Sequence, residues 1–516
     1  MHEEQQKKNI RTVGVMMVLT LLGKVLGLVR DMLLGHHFAT GMAANAFLTA
    51  SRIPRNFFDA IFASAISASF IPVFNEYLEK KGKDEAFSLG SAFISVMTLL
   101  TAGLAALGML FAEPITALLA NGFDAATAAL CARLLRILFP TVLFTGLAFS
   151  IVGILQSLGE FNIPALLSAA SNTVIILYYV FFCERFGIVG LAGAFLLGWA
   201  VQVLIQLPAL RRFGFRYRAS LRHEGLRKIF ALVGPVLVST WVQPLNLTVA
   251  TRYASHIEGG ASALEYANTL YTIVAGVFVL SIANVIFPEL SRYAARADEE
   301  ALGRSVGGTL NAMLFLLAPM AAGLAVLAKP VVRLLYEWGE WGAASTELTA
   351  GALTFLSLGM LGYGVQIILS RAFYAAQRGS VPLLAGAVSV LANLALCALL
   401  APVMGLRGLA LASAVSLMLP ALVLLFALAR RHRELLRPAA LLDVCKMLFA
   451  AAAMGGLVRW AAGRLATRLG ASLGARVLLV AGPTALGAAV YFALAYLLRI
   501  STVGELRTLL RRRGRA

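Results

Sequence analysis

The feature that most constrains this chain is a succession of apolar blocks, each about 20 residues or longer, separated by short polar connections. A block of that length crosses a hydrocarbon core of roughly 30 Å as α-helix, and in hydrocarbon the backbone has to satisfy its own hydrogen bonds, which a helix does within one segment. The sequence therefore predicts an all-α, polytopic integral membrane protein with about fourteen transmembrane helices. They are placed near residues 12–34, 42–74, 86–111, 127–157, 163–184, 187–210, 227–256, 263–293, 302–327, 346–376, 380–402, 405–430, 439–463 and 473–498. Only 13% of residues are charged, against roughly 25% in soluble domains. The polar stretch from Met1 to Arg11 leads into a block too long, and too charged at its far end, for a cleavable signal, so that block is read as the first span.

The formal charge of +19 would suit a nucleic-acid partner, but Lys and Arg gather in alternate connections, where a topology signal belongs. Basic connections hold Lys80, Lys81 and Lys83; Arg211, Arg212, Arg216, Arg218, Arg222, Arg227 and Lys228; Arg292, Arg296 and Arg304; Arg371 and Arg378; and Arg430, Arg431, Arg433 and Arg437. The tail adds Arg507, Arg511, Arg512, Arg513 and Arg515, whereas the turns around His36, Asp124 and Glu258 are nearly free of cations. Both termini are thus placed in the cytoplasm, and no nucleic-acid partner is inferred. Arg464, Arg468, Lys329 and Arg333 depart from the pattern, since they would lie outside.

An internal repeat is visible. Gly187-Ile188-Val189-Gly190-Leu191-Ala192-Gly193-Ala194 returns as Gly405-Leu406-Arg407-Gly408-Leu409-Ala410-Leu411-Ala412, and Pro164 returns as Pro382, both at a shift of 218. Phe70-Ile71-Pro72 with Tyr77 returns as Ile286-Phe287-Pro288 with Tyr293 at a shift of 216. Two six-helix lobes, 1–218 and 219–436, followed by two extra helices and a basic tail in 437–516, account for this. Six spans are an even number, so the lobes keep one orientation about a pseudo-two-fold along the membrane normal, with substrate expected between them near the midplane.

Ionisable side chains at mid-membrane are costly, by about 2.5–3.5 kcal/mol on insertion scales, and normally face a cavity or a partner. Lys24 lies roughly 18 Å into the first span at 1.5 Å per residue, and Arg52 reaches a similar depth in the second. Arg55 and Asp59 follow Arg52 at spacings that put all three on one helical face, with Arg55 and Asp59 spaced to pair, and Pro54 removes a backbone donor in the same turn. Arg30 and Asp31 stand nearer the end of the first span, where Arg30 could snorkel to the interface; for Lys24 and Arg52 the alternative is a structural ion pair with Asp31 or Asp59. In the second lobe Arg252 falls late in the seventh span and Glu265 and Glu289 near the two ends of the eighth, with an interfacial position as the alternative. More cations than anions suit an anionic head group, because Arg offers a planar fork to phosphate oxygens and Lys a point charge. Cys131, Cys183, Cys397 and Cys445 show no metal-ligand spacing and are read as core residues, and His36 and His37 as solvated. No GxSxG, P-loop, dinucleotide fingerprint or HExxH is present, so no catalytic residue, metal or cofactor is assigned and the chain is read as a non-enzyme. Transport then draws on a gradient or the membrane potential, with Na⁺ or H⁺ as candidate coupling ions.

Gly23-Lys24-Val25-Leu26-Gly27-Leu28-Val29-Arg30-Asp31, Arg52-Ile53-Pro54 and Ser69-Phe70-Ile71-Pro72-Val73-Phe74 resemble the MurJ (MviN) family, lipid II flippases of the multidrug/oligosaccharidyl-lipid/polysaccharide exporter superfamily. The likeness runs through the whole chain and includes Pro330 to Gly339 and the polar turn before Pro382. It implies alternating access by two lobes in the bacterial cytoplasmic membrane. It further implies a cationic cavity for a diphosphate and sugar-peptide head, and a groove beside the last two spans for a polyprenyl tail. Arg30 and Asp31 match the family's pair, and Lys24 stands where Arg is usual. The family's other charges fall on Asn45, Phe58, Ala63, Asn268 and Thr269, so Arg52, Arg55 and Arg252 are read as supplying charge from other positions. With the cytoplasm negative, each negative charge moved outward gains about 2.3 kcal/mol per 100 mV. The rival readings are a flippase for another polyprenyl-diphosphate-linked oligosaccharide and, against the cationic spans, a drug/cation antiporter.

Overall fold

A computed structural model describes residues 2–504 apart from 241, 297, 433–434, 436 and 471. Arg433 and the tail arginines Arg507, Arg511, Arg512, Arg513 and Arg515 thus lie outside the described residues. The chain divides into two compact units, Met1–Thr248 and Val249–Ala516.

In the first unit, the helices run α1 (His2–Phe38), α2 (Met42–Ser51), α3 (Phe58–Ala65), α4 (Ile71–Lys80), α5 (Lys83–Leu110), α6 (Ala112–Leu119) and α7 (Ala125–Leu138). They continue as α8 (Thr141–Ser157), α9 (Asn162–Phe181), α10 (Cys183–Leu204), α11 (Leu207–Arg212), α12 (Glu224–Thr240) and α13 (Val242–Ala254), which crosses the unit boundary. The second unit holds α14 (Gly260–Ala295), α15 (Glu299–Val326), α16 (Ala328–Tyr336), α17 (Ala343–Leu358), α18 (Met360–Ala375), α19 (Ser380–Met404), α20 (Leu406–Ala429), α21 (Pro438–Ala466) and α22 (Leu473–Leu497).

Each predicted span coincides with one helix or a run of helices. Among the described residues eleven helices are long and apolar enough to cross a membrane, and twelve when the α17–α18 pair, bent by 43°, is taken as one span. The α1 and α12–α13 segments, which contain side chains outside the described set, bring the total to about fourteen.

The differences from the sequence reading have local causes. The second span is continuous from Met42 to Lys80 but contains two π turns, Arg52–Phe57 and Ile66–Phe70. In them the N–H of Phe58 reaches the carbonyl of Ile53, and that of Ile71 reaches Ile66. Pro54 lies in the first and Pro72 two residues past the end of the second, so each removes a backbone donor beside a stretch where the ladder widens to i→i+5. The spans predicted at 127–157 and 346–376 break at Phe139–Pro140 and at Gly359. The short helices α6 and α16, not expected, start 216 residues apart. Arg371, placed by sequence in a connection, stands inside α18 with its guanidinium 5.1 Å from the Phe287 ring of α14. Cys445 is exposed, unlike the other three cysteines, which are buried.

Backbone geometry repeats where the sequence does. Gly187 (φ 53°, ψ −147°) and Gly405 (φ 57°, ψ −134°) share a conformation essentially restricted to glycine and each opens the apolar run that follows. Gly159 and Gln377, also 218 apart, both have positive φ. Around them the bonds Glu160 N–H to Leu155 O (2.9 Å) and Arg378 N–H to Phe373 O (2.8 Å) close the same helix C-cap ahead of Pro164 and Pro382.

Candidate functional site

The first unit gathers most of the charges singled out in the spans. The Gly23-x-x-x-Gly27 spacing of α1 lets it lie close along α9: a Cβ on Gly23 would meet Ser168 Cβ at 3.1 Å, and one on Gly27 would meet Asn172 Nδ2 at 3.4 Å. Small residues four apart allow such an approach between membrane helices. Asn172, buried in the middle of α9, uses it: Nδ2 donates to the Gly23 carbonyl at 3.1 Å, and Oδ1 accepts from Arg30 Nη1 at 3.0 Å. Arg30 also donates Nε and Nη2 to Asp31 Oδ1 at 2.9 and 2.7 Å. Its side chain is only 14% exposed. Arg30 therefore does not snorkel; it is held inward by a carboxylate and an amide.

Phe195 of α10 joins the first two spans' cations. Its ring centroid lies 5.5 Å from the Arg30 guanidinium and 5.8 Å from that of Arg55. The ring's negative face attracts both and offsets part of their mutual repulsion, and Phe47 of α2 meets it edge-on at 5.1 Å. The Tyr179 hydroxyl is buried within electrostatic reach of Arg30, Asp31 and Arg55. On its other side the Tyr179 ring stacks on His37 at 5.6 Å, so His37 is packed against α9 rather than solvated.

Arg52 is buried and donates Nη1 to the Leu247 carbonyl of α13 at 2.8 Å. A π turn starts at Arg52, inside the stretch from which a shared face for Arg52, Arg55 and Asp59 was reckoned, yet Asp59 stands within electrostatic reach of Arg55. Asp59 accepts from Thr145 Oγ1 at 3.2 Å. Neither acid pairs with Lys24, which is exposed on α1 and makes no hydrogen bond or ion pair among the described residues. In the second unit Arg252 is half-buried in the last turn of α13, Glu265 is buried in α14, and Glu289 accepts from Ser305 Oγ at 3.2 Å.

The arrangement thus joins Arg30, Asp31 and Arg55 through Asn172 and Phe195, two residues the sequence reading passed over. Asn172 carried a usable signal, a lone amide deep in an apolar block. Phe195 carried none, being one of 30 phenylalanines. Chemically, such a cluster can hold an anion by charge-assisted hydrogen bonds. No group of three or more His, Cys, Asp or Glu that could hold a metal ion occurs among the described residues.

The family model described as lipid II flippase MurJ matches residues 34–477. The chain belongs to the MurJ family. It is 31% identical over 516 residues to a probable lipid II flippase MurJ of Rhizobium tropici, covering 96% of this chain and 95% of that one. It is 30% identical over 509 residues to the corresponding Vibrio cholerae protein, covering 96% and 97%. Its fold matches a solved lipid II flippase MurJ in an inward closed conformation with a TM-score of 0.78 at 24% identity, over 94% of this chain and 98% of that one.

As a MurJ-family chain it fills the departing positions with uncharged packing. Asn45 is buried and donates Nδ2 to the Thr40 carbonyl at 3.4 Å. Phe58 stacks on Phe62 at 5.9 Å.

Proposed function

We propose that this protein flips lipid II, the polyprenyl-diphosphate-linked peptidoglycan precursor, from the inner to the outer leaflet of the bacterial cytoplasmic membrane by alternating access. It acts as a carrier, not a catalyst. The observation that carries the site is the pair of guanidinium groups, Arg30 and Arg55, drawn to one Phe195 ring at 5.5 and 5.8 Å, with Asp31 bonded to Arg30 and Asp59 within electrostatic reach of Arg55. A diphosphate would relieve the residual repulsion by accepting from both forks. A cationic drug would raise it, which disfavours an antiporter.

In this proposal Lys24, Arg30, Asp31, Arg52 and Arg55 of the first unit bind the head group and Arg252 is a binding cation of the second, with Arg52, Arg55 and Arg252 replacing the charge absent at Phe58 and Thr269. Asn172 positions Arg30. The duplication runs over 1–218 and 219–436 with 437–516 added, supported by the matched geometry at Gly187 and Gly405. Both termini face the cytoplasm, supported by the cation-rich connections, and export gains about 2.3 kcal/mol per charge per 100 mV. A Na⁺ or H⁺ gradient resets the carrier.

The test is replacement of the resident lipid II flippase in a bacterium depleted of it. This chain should restore growth, and Ala at Arg52, Arg55 and Arg252 together should abolish the rescue at equal membrane levels. Rescue undiminished by the triple variant would sink the substituted-charge site. Failure of the unaltered chain to rescue, with rescue of a strain lacking another polyprenyl-diphosphate oligosaccharide flippase, would reassign the substrate.

A further inference from the structure

The cations that broke the charge pattern of the connections come together in the second unit. Residues 328–347 and 459–476 carry six Lys or Arg against three Glu, at the end of the unit where α16, the end of α21 and the start of α22 meet. Between them lies a cavity of about 70 Å³, lined by Pro330, Arg333, Leu469, Gly470, Arg476 and Leu479. Arg476 is fixed: Nη1 donates to the Glu337 carbonyl at 2.7 Å and to the Arg333 carbonyl at 3.3 Å, and its guanidinium lies 4.9 Å from the Trp338 ring. Arg333 gives its Nε to both carboxylate oxygens of Glu337 at 3.1 Å, and its two Nη groups make no hydrogen bond among the described residues. Lys329 is paired with Glu347.

With Arg476 Nη2 also 3.9 Å from Glu337 Oε1, one carboxylate serves two guanidinium groups at the rim of a small, mainly apolar hollow. The surroundings are those of a membrane interface. Trp338 and Trp460 are exposed there, with Arg464 5.8 Å from the Trp460 ring, and Trp marks the head-group level. From the cavity, exposed Val477, Leu478 and Leu486 continue along α22, the least buried candidate span among the described residues.

We infer that this cavity binds the phosphodiester of an anionic phospholipid, with Arg333 Nη and the Arg476 guanidinium on the phosphate oxygens and the acyl chains along the apolar side of α22. Cations placed against the topology rule are then there for a ligand in their own leaflet. The site is separate from the Arg30 cluster and does not depend on what that cluster carries.

The test is thermal unfolding of the full-length chain in neutral detergent during titration with short-chain phosphatidylglycerol, phosphatidylcholine or inorganic phosphate. Phosphatidylglycerol should raise the midpoint, and Arg333→Gln, an exposed change that leaves Arg476 and its carbonyl anchors in place, should weaken the effect about tenfold. Arg333→Lys should retain part of it. An equal rise in wild type and Arg333→Gln, or no rise, overturns the site. The same rise with phosphatidylcholine overturns selection for an anionic lipid. An Arg333-dependent rise with inorganic phosphate alone overturns the lipid as the source of the phosphate.

Discussion

Replacing Asn172 by Leu separates the two things this amide does. Leu keeps the approximate bulk but can neither accept from Arg30 nor donate to Gly23. The bond from Arg30 Nη1 to Oδ1, at 3.0 Å, has a charged donor, and such bonds contribute about 1.5–3 kcal/mol. The Nδ2 bond to the Gly23 carbonyl, at 3.1 Å, is a neutral interhelical bond, for which membrane proteins average about 0.6 kcal/mol. Asn172→Leu should therefore destabilise the protein by about 2–3 kcal/mol. Asn172→Asp keeps an acceptor for Arg30 and loses only the donor, so it should cost about 1 kcal/mol or less. Unfolding of the purified variants by SDS titration, followed by circular dichroism, measures both. If Asp is as damaging as Leu, the bond to Arg30 is not what Asn172 contributes; if both are neutral, the clasp between α1 and α9 is held by the glycine contacts alone.

Two further outcomes follow from local geometry. Gly187→Ala and Gly405→Ala each force a Cβ onto a backbone with φ near 55° and should each cost about 1–3 kcal/mol, whereas Gly193→Ala, in open space within α10, should be neutral or slightly stabilising in the same titration. Asp124 caps α7, accepting from the Thr127 hydroxyl and the N–H groups of Thr127 and Ala126, and these bonds hold its carboxyl below the usual 3.8. Because the folded value is depressed, the cap's contribution is full above the unfolded value and is lost as pH falls through the folded one. Any advantage of wild type over Asp124→Ala in unfolding midpoint should thus shrink only on acidification below about pH 4, and a difference that persists unchanged below pH 2 would contradict the cap.

Hydropathy and length made the spans readable, because the hydrocarbon core sets both. What it could not show are events within a span. The π turns at Arg52–Phe57 and Ile66–Phe70 depend on which carbonyl a neighbouring N–H selects once Pro54 and Pro72 have removed a donor, a choice invisible to periodicity. For the same reason Arg52 and Arg55 could be named as intramembrane charges while their directions could not. Arg52 turned to the Leu247 carbonyl and Arg55 to Phe195. Snorkelling stayed open for Arg30 in the sequence because its acceptor, Asn172, is 142 positions away. His37 was taken for a loop residue because α1 runs on to Phe38, beyond the apolar block that defined the span.

Translocation of fluorescent lipid II in proteoliposomes, comparing wild type with an Arg30, Arg52 and Arg55 triple Ala variant of verified folding, tests the central claim most directly. Transfer between leaflets by wild type, lost in the variant, is the predicted result. Equal transfer by both would contradict a head-group site built on these arginines, and no transfer by wild type under an imposed Na⁺ or H⁺ gradient would contradict lipid II as the substrate.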